Sequence, residues 1–76
     1  ESQKARENRV AALEAQIART EEQIASLEAQ MADPSLYSDA QKSADVQRAY
    51  QKAQQALQTL YEQWEAAEAA LSQEEA

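Results

Sequence analysis

The chain has 76 residues, 14 acidic against 7 basic, with a net charge of −7, and it contains no glycine, histidine or cysteine and a single proline. Those absences exclude most chemistry: there is no imidazole or thiolate to act near neutral pH or to bind zinc, no glycine-rich loop to cradle a phosphate and no disulfide framework. At the usual glycine frequency of roughly 7 %, its absence from a chain this long would arise by chance well under one time in a hundred, so the composition points to an all-α fold.

The first element is a helix expected over about residues 2–32. Its seam positions, Val10, Leu13, Ile17, Thr20, Ile24, Leu27 and Met31, all apolar but Thr20, alternate in steps of three and four, which is the a/d ladder of a heptad repeat. Pro34 ends it: proline costs roughly 3 kcal/mol inside a helix and drives the preceding Asp33 to extended angles. Continuing the ladder through the proline would place Pro34, Ser38, Gln41, Asp45, Arg48, Lys52 and Gln55 on the seam, and no apolar stripe survives. One long helix that dimerises is therefore set aside in favour of a turn.

That turn, the tip, is expected at 33–38, with Asp33 and Pro34 as the cap and first position of a short helical turn. Leu36 and Tyr37 at its apex either plug the end of the seam or offer an apolar contact to a partner. Ser38 and Gln41 have the spacing of a capping box for a second helix, with Asp39 in its first turn.

The second helix is expected over about residues 39–74, with its own ladder of Ser43, Val46, Tyr50, Ala53, Leu57, Leu60, Trp64, Ala67, Leu71 and Glu74. Folding at Pro34 brings together residues whose numbers sum to 77, giving the layers Met31/Val46, Leu27/Tyr50, Ile24/Ala53, Thr20/Leu57, Ile17/Leu60, Leu13/Trp64 and Val10/Ala67. Each layer joins an a to a d position, as an antiparallel two-helix coiled coil requires. The expected architecture is a single coiled-coil hairpin with a short Asp-Pro turn at its tip, and a monomeric one, because every layer lies within the chain. Flanking e positions should place Glu14 beside Tyr61, Glu21 beside Gln54, Glu28 beside Gln47 and, unfavourably, Glu7 beside Glu68. That repulsion, with Arg6 and Gln3 on the seam, predicts fraying at the open end.

Such a rod buries one seam and no rounded core, so it cannot enclose a substrate. No apolar run is long enough to span a membrane and no signal segment is present, so the expectation is a cytoplasmic, non-catalytic piece of a longer protein whose first residue, Glu1, has no helix cap. The pairs Glu21/Glu22 and Glu74/Glu75 read as solvated helix faces rather than metal sites. Net acidity disfavours a polyanion as partner, yet the stretch 38–56 carries Lys42, Arg48 and Lys52 against Asp39 and Asp45, and Arg48 and Lys52 sit one turn apart on the outer face of the second helix near the tip. These three cations are the candidate nucleic-acid contacts, with ordinary solubilising charge as the plainer reading. Trp64 could stack on a base, but its a position favours packing.

The run Met31-Ala-Asp-Pro-Ser-Leu-Tyr-Ser-Asp39, followed by an Ala/Gln-rich helix and Leu60-Tyr-Glu-Gln-Trp-Glu65, resembles the C-terminal coiled-coil domain of F-type ATP-binding cassette (ABC-F) ATPases, in particular the Uup-like branch. The resemblance covers nearly the whole chain. It implies a cytoplasmic parent that binds ATP and Mg²⁺ in domains outside this one, none of it held here, and that engages the ribosome or DNA with this arm attached. The N-terminal helical domain of a bacterial peptide-chain release factor has a similar turn, but with a second proline where Ala40 stands. A purely structural spacer is the third possibility.

Overall fold

The computed structural model describes residues 2–75, with side chains described for residues 2–73. Two α-helices, α1 (Gln3–Met31) and α2 (Ala40–Glu75), are joined by a 3₁₀ turn at Pro34–Ser38. They pack antiparallel into a rod of 56 × 15 × 14 Å. Its radius of gyration is 17.0 Å, against about 11 Å for a rounded domain of this length. The expected hairpin is the observed fold.

Each helix begins where a side chain can accept an otherwise unpaired backbone N–H. At α1 this is Ser2, whose Oγ accepts from Ala5 N at 3.1 Å and whose carbonyl accepts from Arg6 N. The expectation of an uncapped start is thereby corrected. At α2 the cap is Asp39 rather than Ser38: Asp39 Oδ1 accepts from Lys42 N at 3.0 Å and its carbonyl from Ser43 N at 2.9 Å. Ser38 is held back in the turn, where its hydroxyl donates to the Ser35 carbonyl. Asp39 N donates to Leu36 O, closing the 3₁₀ turn, and only then does the backbone become extended (φ −119°, ψ 100°) and free to start a helix.

Asp33 does as the proline demands. It is extended (φ −83°, ψ 116°), its carboxylate accepts from Ser35 N at 2.9 Å and its carbonyl from Leu36 N. The Ser35 N–H holds the Asp33 carboxyl below its ordinary value of 3.8, with a smaller contribution from the Lys42 charge.

The seam is built from the two ladders and divides into two apolar clusters. Near the tip, Ile24, Leu27, Val46 and Ala53 are buried with Leu36, and Met31, Tyr50 and Leu57 pack against them. Toward the open end, Val10, Leu13 and Ala67 are buried, with Leu60, Trp64 and Leu71 against them. Between the two lie the buried Ile17 and the half-buried Thr20. Thr20 turns its hydroxyl back to the Gln16 carbonyl at 2.8 Å, so this layer supplies little apolar contact across the seam. Glu74, the last residue of the second ladder, lies outside the described side chains, as does its pairing with Glu75.

Candidate functional site

Leu36 takes the first of its two possible roles. It is 6 % exposed and belongs to the tip cluster, so it plugs the seam and is not displayed to a partner. Tyr37, the next residue, faces outward at 54 % exposure. Its hydroxyl donates to the Met31 carbonyl at 2.7 Å, satisfying one of the unpaired carbonyls at the end of α1 and fixing the ring across the tip. Beside this turn a shallow concavity of about 220 Å³ is lined by Gln30, Asp33, Ser35, Leu36, Asp39 and Lys42. Its polar groups are largely committed to capping, because both aspartates already accept backbone N–H groups.

The three candidate cations lie along α2 and do not converge on one spot. At 100° per residue, Lys52 stands about 80° round the helix from Lys42 and about 15 Å further along it, while Arg48 is displaced by about 120° toward the outer edge. All three are exposed. Arg48 is ion-paired to Asp45, with the two side chains 67 % and 58 % exposed. Asp45 also accepts from Gln41 Nε2 at 2.9 Å. An exposed pair of this kind contributes little stability, but it partly neutralises Arg48.

Register brings two cations of α1 onto the same side as Lys42 and Lys52, although they are far from them in sequence. The heptad columns g and c of both helices share one broad side of an antiparallel pair, and on that side Arg9 and Arg19 of α1 join Lys42 and Lys52 of α2, with Asp45 the acidic member. The signal was present in the heptad lettering, which sorts residues by face, but not in sums over consecutive residues.

The opposite broad side, made of columns e and b, carries two hydrogen bonds between the helices. Tyr61 Oη donates to Glu21 Oε2 at 2.9 Å and Trp64 Nε1 to Glu14 Oε2 at 3.2 Å. The expected partners were different: Tyr61 with Glu14, and Gln54 with Glu21. Helical side chains lean toward their own N-terminus, so Tyr61 reaches along α2 toward the level of Thr20 and Glu21, and Glu14 is left for the indole. Gln54 instead donates along its own helix to the Tyr50 hydroxyl, and Gln47 to Ser43 Oγ. The Glu21 carboxylate, accepting a hydrogen bond from the neutral phenol and repelling its ionised form, raises the Tyr61 pKa above 10.0.

Among the described residues there is no group of His, Cys, Asp or Glu placed to hold a metal ion, and no helix is long and apolar enough to cross a membrane. What the arrangement offers is surface: a rigid rod, a plugged tip with one outward tyrosine, and two sides of different charge. A family model described as the ABC transporter C-terminal domain matches residues 2–69. Searches of the curated proteins and of the solved structures each returned no match.

Proposed function

This chain belongs to the ABC transporter C-terminal domain family, and from that premise we propose that it is the non-catalytic interaction arm of an ABC-F ATPase of the Uup-like kind, contributing to the parent's engagement of DNA or ribosomal RNA. Membership makes it an accessory domain of an ABC protein and favours this reading over a release-factor domain. In this proposal ATP and Mg²⁺ are bound elsewhere in a larger cytoplasmic parent. The arm has no glycine-rich turn that could cradle a nucleotide's phosphates.

The observation that carries the nucleic-acid role is the side on which Lys42, Lys52, Arg19 and Arg9 stand. Strung along the rod rather than gathered at one point, these cations suit a row of phosphates. The carboxylates of the opposite side would face away from the polyanion, which reconciles binding with a net charge of −7. Tyr37 would add a ring at the tip on which an unpaired base can stack. In solution the arm would act as a monomeric hairpin.

Fluorescence anisotropy with labelled duplex DNA and with a ribosomal RNA hairpin tests this directly. The expected result is weak binding whose affinity falls steeply with salt and drops about ten-fold in a Lys42→Glu, Lys52→Glu double variant. Binding unaffected by salt and by both substitutions would leave these lysines as solubilising charges. No binding at all would favour the structural spacer.

A further inference from the structure

The side turned away from those cations has a character of its own. Glu14, Glu21 and Glu28 of α1 and Glu65 and Glu68 of α2 stand on it, and its one cation among the described residues is Lys4, in the first turn of α1. Two aromatic rings lie in the groove between the helices on this side: Tyr61, 39 % exposed, and the half-buried Trp64. Both are held in place by hydrogen bonds to the carboxylates facing them across the seam. Beside the α1 glutamates runs a column of exposed alanines, Ala11, Ala18 and Ala25.

We propose that this side docks a basic amphipathic helix from a protein partner, laid along the groove between α1 and α2. Charge complementarity selects the partner's sign. Spacing selects its form: Glu14, Glu21 and Glu28 recur every seventh residue, about 10.5 Å along the rod, and a helix with Arg or Lys every seventh residue repeats at the same interval. The alanine column leaves room for a third helix to approach closely, since interaxial distance is set by the side chains at the contact. The partly exposed rings of Tyr61 and Trp64 would favour an arginine over a neutral side chain at this groove, since aromatic rings attract a guanidinium. A nucleic acid would be repelled from this side. The docking surface is therefore separate from the phosphate-facing one, and either assignment can fail without the other.

Trp64 is the chain's only tryptophan and lies at the groove, so its emission reports occupancy. The probes are a synthetic helical peptide with Arg at every seventh position flanked by Ala, and its counterpart with Glu in place of Arg. Titrating the whole chain with the arginine peptide should give a saturable change in Trp64 emission, and the glutamate peptide none. Glu28→Gln with Glu65→Gln should weaken the arginine peptide about ten-fold, and Glu28→Gln alone about three-fold. Glu22→Gln with Glu62→Gln removes the same charge from the outer edges of the two helices and should leave affinity within about two-fold. Glu14 and Glu21 are left intact because they hold the rings. Equal weakening by the two double variants, or no saturable response to the arginine peptide, would overturn the proposal.

Discussion

The two halves of the rod are held together differently. Near the tip, the helices are joined by apolar packing that Leu36 closes from the end, and the surrounding hydrogen bonds are local: Asp33 to Ser35, Asp39 to Lys42, Tyr37 to Met31. Toward the open end the buried set shrinks to Val10, Leu13 and Ala67, and exposed hydrogen bonds from Trp64 and Tyr61 bridge residues 50 and 40 positions apart in sequence. The chain closes cheaply where the loop is short and at growing entropic cost away from it. Exposed hydrogen bonds return only part of that cost, because water competes for the same groups. The tip half should therefore be the stable unit and the open half the one that opens first.

Substitutions in the seam separate the halves most strongly. Leu27→Ala, in the buried tip cluster, should cost about 3 kcal/mol, and Trp64→Ala, half-buried in the open half, about 2 to 3 kcal/mol. Thermal unfolding followed by circular dichroism measures both. The difference sharpens under hydrogen exchange: Leu27→Ala should speed exchange along the whole rod, while Trp64→Ala should chiefly affect amides beyond Thr20 on α1 and Leu57 on α2. The reverse pattern would break the comparison.

The caps come next. Asp39→Ala should cost about 1 kcal/mol, because Lys42 N loses its acceptor, and Ser38→Ala clearly less, because Ser38 does not cap α2. Equal costs measured by urea unfolding would return the cap to Ser38.

Tyr61→Phe should have the smallest effect, because water competes for an exposed hydrogen bond, and is best read through pH. Because Glu21 raises the Tyr61 pKa above 10.0, this contact contributes its stability below the unfolded value and loses it as pH rises through the higher folded value. Asp33 behaves oppositely: its carboxyl lies below 3.8, so its contribution is present above that pH and is lost as pH falls through the lowered value. Absorbance titration of tyrosinate should show a step for Tyr61 above 10.0 that is lost in Tyr61→Phe and moves down in Glu21→Ala.

Much of this was legible in the sequence, and the reasons are specific. Pro34 ends α1 because its ring and missing N–H cannot continue the helix, and a turn as short as 33–38 leaves the two heptad ladders a single alignment, so the hairpin followed from steric and periodic rules together with the length of the turn. Which of two adjacent good caps would be used was not so determined. Ser38 and Asp39 both suit the position, and the choice fell to the 3₁₀ turn, whose last hydrogen bond ends at Asp39. Nor does composition say whether Leu36 turns in or out; that depends on the turn's geometry bringing it over the seam. The lettering of e positions placed Tyr61 and Glu14 side by side, and the lean of helical side chains moved the contact one heptad away to Glu21. The candidate surface was half visible: Lys42, Arg48 and Lys52 stood out as neighbours in sequence, whereas Arg9 and Arg19 join that side only once the helices are paired.

Everything about the surfaces depends on the two helices meeting in one chain and in this alignment, and the absence of cysteine from the chain permits a clean test. Val10→Cys with Ala67→Cys, two small residues buried in the same cluster, should oxidise in dilute solution to a bridge within one chain, while Val10→Cys with Ala53→Cys should not. Bridges linking separate chains, or equal bridging by the two pairs, would contradict the fold on which the faces rest.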